Sequence, residues 1–200
     1  MVSMTDQDPA KRPLIHRRWL PWVAGAVAFV LTLVAGGALV ADWSWRVGQM
    51  QTLLERVEAS EAVMGELQDA VSEAFEEHGS SGDNQKLDRE LRALATEAQA
   101  ELAAAGSAVA ELPIAVWHVD IEQARDAYLL HNFAWQAYMG RASESSAEFL
   151  RPQEEVNQTF IDAEEPFIDA VPEPDFEGLM DRVAEIFAIP DDLQSDAVAV

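Results

Sequence analysis

From Trp22 to Ala41 the chain reads W-V-A-G-A-V-A-F-V-L-T-L-V-A-G-G-A-L-V-A, twenty positions without a charge. As a helix, at 1.5 Å per residue, this run is about 30 Å long, the thickness of a bilayer's hydrocarbon core. After Asp42 the pattern changes: apolar residues recur three, four or seven apart, the spacing of one helix face. Val47, Met50, Leu54, Val57, Met64, Leu67, Val71 and Phe75 predict a long helix over 43–78, with Gly79 suited to its C-terminal end. No proline separates it from the apolar run, so a single helix starting near Pro21 is allowed. Glu61 and Gln68 break a strict heptad, which favours packing against neighbours in the same chain over an extended coiled coil.

Ser80-Ser81-Gly82-Asp83-Asn84 reads as a loop. A second helix over about 86–111 carries Leu87, Leu91, Leu94, Ala98, Leu102 and Val109, and its many alanines permit close approach. Leu112-Pro113 closes it. Asp120, with Gln123 three residues later, has the pattern of a capping box for a third helix that reaches Tyr138, beyond which Gly140 weakens it. A fourth helix over 153–171 contains Pro166 as an expected kink or restart. Pro172-Glu173-Pro174 is a break, and Asp175 can cap a short last helix with Phe176, Leu179, Met180, Val183, Ile186 and Phe187 on its expected buried side. The pattern therefore predicts an all-α chain, one N-terminal transmembrane helix followed by a four- to five-helix antiparallel bundle. Its parts are a basic cytoplasmic tail (1–21), the transmembrane helix (22–41), an acidic helical extracytoplasmic domain (42–189) and a flexible acidic tail (190–200).

Charge orients this arrangement. Residues 1–21 hold four basic and two acidic side chains, a net of +2; from Asp42 on there are nine basic and 34 acidic, a net of −25. A basic flank stays in the cytoplasm, so the acidic part is expected outside. Trp19 and Trp22 with Arg17 and Arg18 at one end, and Trp43 and Trp45 at the other, stand where interfacial anchors belong. A cleavable secretory signal ending near Ala35-Gly36-Gly37 is the alternative, but the apolar run is longer than such signals use. Ala24, Ala28, Thr32 and Gly36 recur every four residues and make a face on which a second such helix could pack.

The same charge excludes nucleic acid as a partner, because a phosphate backbone needs a cationic face. With no cysteine there is no disulfide, thiolate metal site or cysteine nucleophile. His78, His118 and His131 sit in none of the spacings that hold zinc or a di-metal centre, and no metal or other cofactor is expected. Adjacent acids such as Glu76-Glu77 and Glu164-Glu165 share one environment and lack the split pKa values a catalytic pair needs. No glycine-rich phosphate loop and no serine elbow occurs, so no catalytic residue is proposed and the chain is expected not to be an enzyme. The third helix alone concentrates chemistry: Trp117, Tyr128, His131, Trp135 and Tyr138 lie on one predicted face. That stripe is either core or the wall of a ligand or partner site.

The stretch L-P-I-A-V-W-H-V-D-I-E-Q-A-R-D-A-Y-L-L-H-N-F-A-W-Q-A-Y (112–138), with D-R-V-A-E-I-F at 181–187, resembles a group of uncharacterised actinobacterial single-pass membrane proteins. Eleven arginines against two lysines agree with a GC-rich genome of that kind. The resemblance implies an anchored helical extracytoplasmic domain and no particular activity. The expected function is therefore a non-enzymatic envelope protein at the cell membrane that presents a surface to a protein partner or to itself. A ligand-binding or sensory ectodomain using the third helix is the alternative.

Overall fold

The computed structural model describes residues 20–79 and 84–188. All regular structure among them is helical: α1 (Leu20–Gly79), α2 (Asn84–Ala110), α3 (Val119–Glu144), a 3-10 helix (Ser146–Leu150), α4 (Glu154–Ala170) and α5 (Leu179–Ile186). The chain divides into two compact units, Met1–Ser44 and Trp45–Val200.

In the first unit the side chains from Ala24 to Ala41 are all exposed, Phe29, Leu31 and Leu39 among them. Among the described residues α1 is the one helix long and apolar enough to cross a membrane, by length and composition. The expected anchors Trp19, Arg17 and Arg18 and the tails 1–19 and 189–200 lie outside the described residues, as do loop residues 80–83 and the side chain of Trp22.

In the second unit the periodic face of α1 is buried from Val47 onward: Met50, Leu53, Leu54 and Val57 have no exposed surface. Helix α3 packs on α2 and on α4, and α4 on α5. Asn132 of α3 ties three helices together: its Nδ2 donates to Ser60 Oγ of α1 and to the Leu102 carbonyl of α2, both at 3.2 Å. At the α1–α2 turn the buried His78 Nε2 donates to Glu90 Oε2 at 2.7 Å.

Two helix starts differ from expectation. Helix α3 begins at Val119, with His118 before it and no side-chain cap. Asp120 already lies in the first turn, so it does not cap: it pairs with Arg46 of α1 and accepts the Ile121 N–H. Asp175 does cap α5, but from ahead of Gly178, whose φ of +68° turns the chain into the helix. Its two carboxylate oxygens accept the N–H groups of Leu179 (3.0 Å) and Met180 (2.9 Å). Bonds from the backbone, Met180 foremost, hold that carboxyl below the usual carboxylate range. Pro166 does not restart α4; the helix runs through to Ala170. Ala163 and Phe167, fully buried on either side of it, offset the lost N–H bond, which costs about 3 kcal/mol in an exposed helix.

Candidate functional site

The 26-residue α3 carries the predicted stripe, and four of its five aromatic positions meet. Tyr128, His131, Trp135 and Tyr138 form a continuous row, with ring centroids 5.9, 6.2 and 5.7 Å apart in that order. The row continues to Phe149 of the 3-10 helix at 6.2 Å and is backed by Phe160 and Phe167 of α4. Trp117 does not join it. It precedes the first residue of α3, so the helical spacing that predicted its direction does not apply there; it is exposed and stands edge-on to Trp45 at 5.4 Å.

The inner end of the row is a polar cluster in the core. Tyr128, without exposed surface, donates its hydroxyl proton to Glu61 Oε1 at 2.6 Å. Burial, then the charge of Glu61 beside it, pushes the phenol well above its ordinary pKa of 10.0. His131 places Nδ1 3.2 Å from both the Val156 carbonyl and Thr159 Oγ1. A carbonyl can only accept, and the Thr159 hydroxyl is directed to backbone oxygens, so Nδ1 carries the proton. His131 Nε2 is then the bare nitrogen, buried without a hydrogen bond and 3.6 Å from Glu61 Oε1. A proton placed on Nε2 would turn that contact into an ion pair.

Glu61 is the member of this cluster that sequence spacing did not single out. It entered the sequence pattern only as an interruption of the heptad; in the fold it is the acceptor for Tyr128. The signal was a lone acid on an otherwise apolar stripe.

The outer end of the row opens on a groove. Trp135, Tyr138 and Met139 of α3 face Met64, Leu67, Gln68 and Val71 of α1 across a cavity of about 610 Å³, closed at one side by Phe149 and Gln153. Glu61, Arg151 and Asn157 supply polar groups around it. Tyr138 is fixed there because its hydroxyl donates to the Glu148 carbonyl at 3.1 Å and accepts from Gln153 Nε2 at 3.2 Å. Burial is the main cause that raises its pKa. Trp135 lines the same groove with its indole Nε1 buried and without a hydrogen-bond partner.

No group of three or more acidic or histidine side chains suited to a metal ion occurs among the described residues. No protein-family model, curated protein or solved structure matches the chain. The groove and its aromatic wall therefore carry the functional reading on their geometry alone.

Proposed function

We propose that this chain is a single-pass membrane protein with its basic N-terminus in the cytoplasm. Residues 42–200 stand outside the membrane as an antiparallel helical bundle that binds a protein partner without catalysis. The groove between α1 and α3 carries this reading. Met64, Leu67, Gln68 and Val71 have the i, i+3, i+4, i+7 spacing that receives an amphipathic helix, and Met64 and Met139 adapt to the surface laid on them. The net charge of −25 beyond residue 41 favours a partner helix flanked by Lys and Arg, and it would speed their encounter at low salt. The exposed apolar run 24–41 supports the anchor, since a soluble protein rarely leaves such a surface uncovered.

The test is a photo-cross-linker at Gln68, which lines the groove, compared with one at the exposed Glu101 of α2. The full chain is used in its own membranes. A discrete adduct from position 68, absent from position 101 and lost on Met64→Lys, is expected. Equal labelling at both positions, or adducts indifferent to Met64→Lys, would overturn the reading.

The unpartnered Trp135 Nε1 favours a second reading, a small ligand with a hydrogen-bond acceptor in the same groove. Native mass spectrometry of the gently extracted protein then finds a bound small molecule that Trp135→Ala loses. A bare protein mass for both forms removes this reading.

A further inference from the structure

Between Glu111 and Asp120 the chain carries no charge for eight residues, L-P-I-A-V-W-H-V, within a region of net −25. Leu112 is buried, but the other end of the segment is not hidden. Val116 is 83% exposed, Trp117 59% and Val119 51%, and Trp117 meets a half-exposed Trp45 edge to face.

The segment is nevertheless held firmly to the start of the second unit. Gln49 Nε2 donates to the Pro113 carbonyl at 2.9 Å, which fixes the orientation of the amide. Gln49 Oε1 then faces the buried His118 and accepts from its Nδ1 at 2.6 Å. One side chain of α1 thus clasps both ends of the loop. Arg46 and Asp120, which flank the patch, pair with each other.

We propose that residues 113–119, together with Trp45, form a second membrane contact that lies in the interfacial zone of the bilayer. The occupant follows from the chain. Trp45 comes four residues after Ala41 in the sequence, and Gln49, which clasps the loop, four residues after that, so the patch is tied to the chain just past the end of the uncharged run. Indole rings with flanking valines are the side chains that zone accepts, and a neutral patch escapes the repulsion an anionic leaflet exerts on acidic protein. The loop would fix the tilt and rotation of the domain on the bilayer, which a single helix leaves free. This inference rests on residues 22–41 spanning the membrane.

The natural chain has no cysteine, so single spin labels can be placed without background. The full-length protein carrying Val116→Cys, Leu150→Cys or Leu31→Cys is reconstituted in vesicles of phosphatidylcholine and phosphatidylglycerol. Collision with oxygen is compared with collision with a water-soluble nickel chelate. Leu150 is exposed in the 3-10 helix that packs on α3 at Tyr138, 19 residues and about 28 Å along that helix from Val119, so its label serves as the aqueous reference. The Val116 label is expected to show an oxygen-to-nickel ratio several-fold above that at Leu150 and below that at Leu31. A Val116 ratio equal to that at Leu150, or a label shielded from both reagents, overturns the contact while a lipid-like Leu31 leaves the span intact. An aqueous ratio at Leu31 overturns the span itself.

Discussion

The Tyr128 hydroxyl and the Glu61 carboxylate, 67 residues apart in the chain, meet at 2.6 Å where α3 crosses the buried stretch of α1. The pair joins a phenol without exposed surface to an acid that still reaches solvent, so water can take over part of the carboxylate when its partner is removed. Tyr128→Phe is therefore expected to cost about 1.5–3 kcal/mol, the range for a hydrogen bond to a charged group, and to keep the fold. A urea titration of the full chain in mild detergent, followed by circular dichroism, checks this.

The raised pKa of Tyr128 also sets an alkaline limit. The native state holds the phenolic proton more tightly than the unfolded chain does, so its contribution is complete below the ordinary value of 10.0. It is lost as pH rises from there through the folded pKa. Tyr138 shifts in the same direction, and these are the chain's two tyrosines. At pH 10 the folded protein is expected to show less tyrosinate absorbance than two free tyrosines would, and the remainder to appear as helical signal is lost. Normal titration of either ring in the folded protein would contradict the packing described.

Two helical glycines should respond oppositely to alanine. A Cβ on Gly106 would overlap Asn132 Oδ1 and come within 3.0 Å of its Cγ, displacing a side chain that holds α1, α2 and α3 together. Each buried group left unpaired costs about 1–3 kcal/mol, more than the gain of about 1 kcal/mol from helix propensity. At Gly140 the Cβ would meet only the amide end of Gln99, which can swing away. Gly106→Ala should lower the melting temperature and Gly140→Ala should hold or raise it.

Core truncations grade by burial. Leu91→Ala and Phe167→Ala remove buried side chains and should each cost about 2–5 kcal/mol. Phe160 is only half-buried, and Phe160→Ala should cost less than Phe167→Ala in the same denaturation series.

The Gln49 clasp predicts a local effect. Gln49→Leu leaves the Pro113 carbonyl and His118 Nδ1 without their shared partner, so residues 114–118 should exchange amide hydrogens faster, while α2 and α4 do not change. A uniform rise across all helices would mean that the clasp holds the whole unit rather than this loop.

Hydropathy and spacing along the chain were enough for the helical class, the uncharged run, the proline-bounded break before α5 and the stripe Tyr128, His131, Trp135 and Tyr138. These depend on residues within a turn or two of one another, and a helix's period and length record them locally. Tertiary structure alone decided that Trp117 leaves the stripe for Trp45, that Asp120 serves Arg46 instead of a helix start, and that Pro166 is carried through α4. It alone brought Glu61 to Tyr128 and Gln49 to His118, pairs 67 and 69 residues apart. A polar side chain on an apolar stripe announces that it needs a partner, because a buried group without one is costly. Which partner it finds depends on how the helices cross, and that is set by packing of the whole unit rather than by the residues on either side.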